Sequence, residues 1–285
     1  MKVKVYAKLN LTLNVTGKRN GFHDIDSVAV SVGIFDEVTV TARRDRAVTI
    51  SGMPTVNDTD NSAYKAACAF VTEFNTLGAD ICVKKGIPFS AGMGGSSADA
   101  AAVVYCMCKL YGVDVSSPKV HSLCAFLGSD VNFMLRGGLG RLRGKGDDAE
   151  YYPLNSPLYF ALTTFDQGVT SGQAYSAYDA LAYGLPFADN GKITDMLTAG
   201  ENAQAIPLFN NHLEQAVTSL SDYQRGYLNC VNSLGLSANM TGSGSAYYVA
   251  FVSYKQATAA SAQLRSNGYN TVVCKTVPRG IEAVN

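Results

Sequence analysis

One stretch rich in glycine and serine, in the first half of the chain, restricts the fold more than any other. Residues 87–102 read IPFSAGMGGSSADAAA. The apolar segment ADICV lies shortly before them, and the helical pattern VVYCMCKLYG follows at once. This order predicts a strand, a glycine-rich loop, and a helix whose first turns carry side chains small enough for close packing.

The junction of that loop with the helix is a predicted phosphate-binding site. The first amides of a helix have no partner within the helix, and the helix dipole makes that end positive. Glycines let the backbone approach an anion without interference from a Cβ. The predicted cradle consists of Pro88, Phe89, Ser90, Ala91, Gly92, Met93, Gly94, Gly95, Ser96, Ser97 and Ala98.

The loop does not match three better-known glycine motifs. No lysine follows Gly95, as a P-loop requires, and Ser97 stands where a dinucleotide fingerprint has its third glycine. Ala98 occupies the second glycine position of a nucleophile elbow. A structural role also stays open, with Ser96 as the N-cap and Asp99 as the acidic third residue of a capping box. Capping and phosphate binding are compatible, because different amides can serve each.

The first fifteen residues alternate between apolar and polar side chains, which predicts a β-strand. Lys8 and Asn10 fall on the face that lacks apolar residues. This face either points both side chains into one polar cleft or is simply exposed to water. The segment KRNGFHDID that follows is typical of a turn.

A carboxylate and a second glycine motif are two further candidate features of a functional site. Asp130 follows SSPKVHSLCAFLG, a predicted helix that Ser116 or Ser117 caps and Gly128 ends. Asp130 is therefore either a plain N-cap or a base held at the edge of an apolar segment. Further on, Gly242 and Gly244 predict a turn before the apolar strand AYYVAF.

Strand patterns alternate with helical patterns in both halves of the chain, which predicts an α+β protein of two layered modules with a cleft between them. The second half contributes the helical patterns QAYSAYDALAYG, NHLEQAV, SDYQRGYLNCVNSLG and KQATAASAQLRSNGY, and the final strand NTVVCKTV. The neighbourhood of residues 155–157 is the expected boundary, giving modules at 1–154 and 155–285.

Composition excludes several classes of partner. The 23 basic and 23 acidic residues balance, so no broad basic field is available for nucleic acid. No apolar run approaches the ~20 residues that span a bilayer, and the first residues lack the core of a signal peptide. Seven scattered cysteines predict free thiols and a cytoplasmic location. The three histidines are too dispersed to predict a metal site.

Taken in order, these segments resemble the GHMP kinases, the family of galactokinase, homoserine kinase and mevalonate kinase. AKLNLTLNV, IPFSAGMGGSSADAA and MTGSGSAYY resemble the three motifs of that family. The further stretches GFHDIDSV, NSAYKAA, LGSDVNFMLRGG, GKGDD and NHLEQAV resemble the branch that acts on cytidine diphosphate methylerythritol in the non-mevalonate isoprenoid pathway. The chain departs from this branch at Ser96, which replaces a glycine, and at Ala98, which replaces a serine.

The resemblance implies a fold, an activity and a set of site residues. The fold would be a ribosomal protein S5 domain 2-like module followed by a ferredoxin-like α/β module, with the active site between them. The reaction would be phosphoryl transfer from ATP, with Mg²⁺ carried by the nucleotide, to the 2-hydroxyl of the erythritol moiety. Catalysis is implied for Lys8 and Asp130, and substrate binding for Asn10, Phe22, His23, Gly242 and Ser243. Residues near the adenine are implied to be Asn61, Tyr64 and Lys65.

Two alternatives remain at this stage. The chain is either a different GHMP kinase, for mevalonate, homoserine or a sugar, or a catalytically silent nucleotide-binding relative. Homoserine kinases generally lack the catalytic aspartate, so Asp130 argues against that branch. A monomer or weak homodimer is expected.

Overall fold

A computed structural model describes residues 1–19, 21–53, 58–165, 169–181 and 186–284 of the chain. Its strands are β1 (Lys2–Asn10), β2 (Thr12–Arg19), β3 (Phe22–Ala42), β4 (Val48–Ser51), β5 (Ala79–Lys84), β6 (Leu139–Gly144), β7 (Asp148–Tyr152), β8 (Tyr159–Thr163), β9 (Asn210–Asn211), β10 (Asn239–Met240), β11 (Tyr247–Phe251), β12 (Thr271–Lys275) and β13 (Ile281–Val284). Its helices are α1 (Ser62–Phe74), α2 (Gly95–Tyr111), α3 (Pro118–Leu127), α4 (Val131–Arg136), α5 (Ser171–Asp179), α6 (Asn190–Ala199), α7 (Asn202–Ala205), α8 (Glu214–Leu220), α9 (Asp222–Ser233) and α10 (Tyr254–Ser266).

The larger sheet is organised around β3, a strand of 21 residues. Within the described residues it has nine strands, and its main path runs β13-β1-β3-β2-β9. β5 and β6 also pair with β3, at its two halves. β1 runs antiparallel to β3 with Lys8 opposite Ser31, and on its other edge it pairs with β13. The strand that carries Lys8 is therefore held from both sides.

The smaller sheet has the order β10-β11-β8-β12 and is covered by α10. Helix α2 packs against β1 and β3 of the larger sheet and against α1 and α4. Apolar side chains of β1, β3 and α2 share one core with Phe160 of β8 and Tyr248 of β11. A continuous apolar core thus joins the two sheets, in agreement with the predicted α+β class.

The helix ends that the sequence predicts at Ser117 and Gly128 are confirmed, and the ends of α1 and α2 follow the same local rules. The side chain of Asn61 caps α1, and that of Ser117 caps α3 with Pro118 in its first turn. Gly112 ends α2 and Gly128 ends α3. These ends depend on local hydrogen bonds and on glycine conformations, so the local sequence is sufficient to predict them.

Other predictions were wrong in part. The turn expected in KRNGFHDID is confined to the region of Gly21, because β2 continues to Arg19 and β3 already begins at Phe22. The single strand predicted for the first fifteen residues is broken at Leu11 into β1 and β2. The polar side chains of Lys8 and Asn10 on β1 are not exposed to water either, since Lys8 is 5% and Asn10 2% exposed.

The division into modules at 1–154 and 155–285 stays a prediction, and it does not separate the two sheets. β9 and β13 lie beyond residue 155, yet both belong to the larger sheet. The seven cysteines are free. Among the described helices, none is both long and apolar enough to cross a membrane.

Candidate active site

Lys8 and Asp130, which lie far apart in sequence, meet at the start of α4. The Lys8 Nζ is 3.3 Å from Oδ2 of Asp130 and donates to Oδ1 of Asn10 over 2.5 Å. Asp130 holds the N-cap position of α4 but makes no capping hydrogen bond with its side chain. Its carboxylate instead faces Lys8 and remains 27% exposed. The plain N-cap interpretation of Asp130 is therefore wrong.

Asn10 belongs to a buried polar chain behind Lys8. Its Nδ2 donates to Oγ of Ser27 over 2.7 Å, and that hydroxyl donates to the carbonyl of Thr12. The amide oxygen of Asn10 is thus aimed at Lys8, because its NH₂ group is committed to Ser27. The arrangement fixes the ammonium group in one position beside Asp130.

The first glycine loop, residues 85–94, runs directly over Lys8. The Lys8 amide donates to the carbonyl of Met93 over 3.1 Å. A Cβ placed on Gly94 would lie 2.1 Å from Cε of Met134 and 3.2 Å from Cγ of Lys8. Gly94 has a φ of 73°, a conformation that glycine adopts without strain. The helix start and the Lys8–Asp130 pair are therefore next to each other.

The amides at the start of α2 are not capped by a side chain. The N-cap residue is Gly94, and α2 begins at Gly95. The capping box of Ser96 and Asp99 is therefore wrong: Ser96 lies within the helix and is exposed, and Asp99 is turned inward. The positive end of α2 is formed by main-chain groups, as an anion site requires.

A second glycine loop, residues 241–246, packs against the first. A Cβ on Gly92 would lie 2.4 Å from the carbonyl oxygen of Thr241, and one on Gly242 would lie 2.6 Å from the carbonyl oxygen of Gly92. The Ala246 amide donates to Ala91, and the Asn10 amide donates to Oγ1 of Thr241. Glycine is needed at 92 and 242 because two backbones meet there, a reason that the sequence analysis did not foresee.

Phe22 and His23 are the first two residues of β3. The His23 ring stacks on Tyr175 with centroids 4.5 Å apart, and its Nε2 lies 2.6 Å from Oδ1 of Asp179. Burial, and to a lesser degree the charge of Asp130, raise the pKa of Tyr175 to about 12. Phe22 is 59% exposed, with the Lys145 ammonium 4.2 Å from its ring centroid. Tyr175 and Asp179 therefore fix the orientation of the His23 imidazole, while the Phe22 ring is exposed beside Lys145.

The remaining predicted residues make other contacts. Ser243 shares a 2.7 Å hydrogen bond with Ser171, which joins the second glycine loop to α5. Asn61 is buried and accepts from the Ala63 amide, so its oxygen serves the start of α1. Lys65 is exposed on α1 and Tyr64 is half-buried. The adenine-side role of these three residues stays a prediction.

Several residues that support the site cannot be recognised from the local sequence. Tyr175 and Asp179 sit in a segment predicted only as a helix, and no local signal connects them to His23. Asp99 had a detectable signal: it is a carboxylate inside the alanine-rich start of α2, where small side chains indicate burial. It is indeed buried and paired with Lys85 and, through Lys85, with Asp36.

Models of one protein family match both halves of the chain. The profile of the GHMP kinases N terminal domain matches residues 61–140, and that of the GHMP kinases C terminal domain matches residues 194–270. The chain is 34% identical over 280 residues to the 4-diphosphocytidyl-2-C-methyl-D-erythritol kinase of Desulfitobacterium hafniense (strain Y51), covering 96% of this chain and 95% of the relative. It is 32% identical to the kinase of the same name from Streptomyces avermitilis, covering 85% and 84%.

Solved structures show the same fold. A crystal structure of 4-(cytidine 5'-diphospho)-2C-methyl-D-erythritol kinase matches with a TM-score of 0.80 and 26% identity, over 96% of this chain and 98% of the other. A homoserine kinase from Cytophaga hutchinsonii matches with a TM-score of 0.76 at 18% identity, over 100% and 97% of the two chains, which shows the fold alone. The chain belongs to the GHMP kinases and, within them, to the family of 4-diphosphocytidyl-2-C-methyl-D-erythritol kinases.

Proposed function

We propose that this protein transfers the γ-phosphoryl group of ATP to the 2-hydroxyl of 4-diphosphocytidyl-2-C-methyl-D-erythritol. The observation that carries the proposal is the Lys8–Asp130 pair, 3.3 Å apart beside the uncapped start of α2. Phosphoryl transfer has a loose transition state, so catalysis depends on positioning and on neutralising charge. The site offers a carboxylate, an ammonium group and main-chain amides for these tasks.

Each group has a distinct role in this proposal. Asp130 accepts the proton of the attacking hydroxyl, and its partial exposure leaves room for that hydroxyl. Lys8 holds the hydroxyl oxygen and balances charge on the transferred group through charge-assisted hydrogen bonds. Asn10 keeps the Lys8 ammonium in place from behind. The amides at the start of α2 bind the polyphosphate chain, as the helix dipole favours.

Magnesium fits this site as an ion that the nucleotide brings. No group of three or more histidine, cysteine, aspartate or glutamate side chains within the described ranges is arranged to hold a metal. Mg²⁺ commonly keeps several waters and binds substrate phosphates with few protein ligands. Ser90 in the first glycine loop and Ser96 and Ser97 in the first turn of α2 carry the hydroxyl groups of this segment. The bound ion would neutralise charge on the phosphate oxygens.

In this proposal, the base of the acceptor substrate binds at the start of β3, where Phe22 and His23 lie. Because Asp179 accepts a hydrogen from Nε2, a neutral His23 presents the lone pair of Nδ1. The exocyclic amino group of cytosine is a hydrogen-bond donor that this lone pair can accept. The exposed Phe22 ring offers a face for packing. Gly242 and Ser243 lie in the second glycine loop, next to the first.

An assay of ADP release tests the function directly. With purified protein, ATP and Mg²⁺, we expect turnover with 4-diphosphocytidyl-2-C-methyl-D-erythritol and a kcat/KM at least about 100-fold lower with mevalonate, homoserine and galactose. Equal or better turnover with one of these three would assign the chain to a different GHMP kinase. No turnover with any acceptor, together with measurable nucleotide binding, would favour a silent relative. Size-exclusion chromatography of the same sample tests the expected monomer or weak homodimer.

The His23→Ala variant tests recognition of the base. We expect KM for the cytidine substrate to rise about tenfold or more while kcat changes little, because the lost contact is formed equally in the ground state and the transition state. The exposed His121 on α3 supplies the control, and His121→Ala should leave KM unchanged. If KM for the cytidine substrate is the same in His23→Ala and the native protein, His23 does not recognise the base.

A further inference from the structure

The segment NHLEQAV, residues 211–217, takes no part in the mechanism above, yet it lies between the larger sheet and the second glycine loop. On one side it is attached to β2, where Leu13 pairs with Asn211 of β9. The His212 amide donates to the carbonyl of Leu13 over 2.9 Å. The Val15 amide donates in turn to Nδ1 of His212 over 3.2 Å. The segment is therefore fixed to the sheet.

On its other side, two side chains of this segment bind the main chain at the start of the second glycine loop. Asn211 is 3% exposed, and its Nδ2 donates to the carbonyl oxygens of Met240 and Gly242 over 3.0 and 2.8 Å. Its Oδ1 accepts from the Leu213 amide over 2.9 Å. Oε2 of Glu214 accepts from the Met240 amide over 2.7 Å. Asn211 and Glu214, the loop clamp, thus bind both main-chain groups of residue 240.

The clamped loop supports the part of the first glycine loop that leads to α2. The Ala246 amide donates to the carbonyl of Ala91 over 3.2 Å, and Gly92 lies against the same loop. Ser245 donates from Oγ to the carbonyl of Ser90 over 3.4 Å. Ser90 has a φ of 51°, a left-handed conformation that is uncommon outside glycine and needs support from its surroundings. Residues 90–92 therefore take their shape from the second glycine loop.

The Lys8–Asp130 pair has other supports. The strand β1, which carries Lys8, is paired with β3 and with β13. Asp130 is the N-cap residue of α4. The second glycine loop meets β1 at the Asn10 amide, which donates to Oγ1 of Thr241. A displaced second loop should therefore disturb residues 90–92 more than it disturbs the Lys8–Asp130 pair.

We propose that Asn211 and Glu214 are positioning residues for the phosphate donor, because they hold the second glycine loop where it keeps the first in its nucleotide-binding shape. This inference rests on the proposed function, since it assumes that the first loop binds a nucleotide. Both side chains act through the main chain of residues 240–242 and not on the ligand itself. The scheme requires a donor at residue 211 and an acceptor at residue 214, which substitutions can separate from size.

Titration calorimetry with adenylyl imidodiphosphate and Mg²⁺ measures the effect on nucleotide affinity. Asn211→Asp keeps the size of the side chain and the oxygen for Leu213 but loses both donors, and Asn211→Ala loses them without adding a charge. Both variants should raise Kd about tenfold or more, because two buried carbonyl groups lose their partner. Glu214→Leu should raise Kd by a similar factor. Glu214→Gln keeps an oxygen for the Met240 amide and should stay within about twofold of the native Kd.

Steady-state kinetics should show the same division. In Asn211→Ala and Glu214→Leu we expect KM for ATP to rise about tenfold, while kcat falls less than about threefold. A general loss of stability would not produce this division. Val231→Ala is the control for stability, since Val231 is fully buried on α9 in the same apolar cluster as Leu213. It should lower the thermal midpoint and leave Kd within about twofold of the native value.

A folded Asn211→Ala with the native Kd would overturn the inference, and so would a Kd that rises equally in Val231→Ala or in Glu214→Gln. If the Asn211 variants and Glu214→Leu fail to fold, hydrogen exchange of the native protein replaces them. Saturating nucleotide should slow exchange of the Met240 and Leu213 amides, because opening of the clamp would then also cost binding free energy. Unchanged exchange would overturn the inference. Nucleotide binding without turnover of any acceptor would overturn the proposed function alone, and no nucleotide binding by the native protein would overturn both.

Discussion

Asp130→Asn is expected to lower kcat about 1,000-fold while the affinity for ATP stays within about twofold of the native value. A general base contributes about 10² to 10⁴ to a rate, and an amide cannot accept the proton of the substrate hydroxyl. Asparagine keeps the size of the side chain and one oxygen within reach of Lys8. The loss should therefore fall on the chemical step and leave the nucleotide site intact.

The measurements for Asp130→Asn are steady-state kinetics of ADP release and equilibrium binding of an ATP analogue. Asp148→Asn, an exposed carboxylate at the start of β7, is the matched control and should retain the native kcat. Undiminished turnover in purified Asp130→Asn would remove the general base from the mechanism. A large loss of nucleotide affinity would instead mean that Asp130 supports the ATP site.

Lys8→Met should reduce activity almost as strongly as Asp130→Asn does, with kcat/KM lowered about 1,000-fold. Methionine occupies a similar volume beneath Gly94, so the loop can keep its path while the ammonium group is lost. Without that charge, the substrate hydroxyl and the transferred phosphoryl group lose a charge-assisted hydrogen bond, and Asn10 loses its partner. Arginine should not restore activity, because its planar guanidinium presents its hydrogen-bond donors in a different geometry from a compact ammonium group.

Lys4→Met separates the effect of Lys8 from a general loss of charge on β1. Lys4 lies on the same face of the same strand, four residues earlier, with its ammonium group 4.6 Å from the Phe35 ring centroid. We expect native kinetics for Lys4→Met and a thermal midpoint for Lys8→Met within a few degrees of the native protein. A fully active Lys8→Met would refute the assigned role, and an unfolded one would show that Lys8 is needed for folding.

The parts of the fold that could be predicted from sequence are those set by neighbours along the chain. Asn61 and Ser117 mark helix starts because a capping side chain acts within a few residues, and Gly112 ends α2 as a left-handed glycine. The proximity of Lys8 and Asp130, in contrast, is not set by neighbours along the chain. Their separate local patterns allowed an exposed strand face and a plain N-cap, and only the resemblance to a kinase family brought the two residues together.

The supporting residues could not be predicted because their partners come from distant parts of the chain. His23 and Asp179 are 156 residues apart, and Asp36 reaches the Lys85 ammonium across 49 residues. No periodicity encodes these pairings, which exist only once β3, α2 and α5 have packed. The close contact of Gly92 with Gly242 is of the same kind. A glycine in sequence indicates freedom of the backbone, but it does not identify which atom will approach.

The pairing of β13 with β1 has a consequence for the folding of the chain during translation. Tyr6 of β1 donates to Glu282 of β13, 276 residues further along the chain. During translation at about 5 to 20 residues per second, β1 therefore waits on the order of tens of seconds with one edge unpaired. An unpaired strand edge can pair with a strand of another chain. Until residues 281–284 have been synthesised, this edge of β1, the strand that carries Lys8, is therefore open to pairing with other chains.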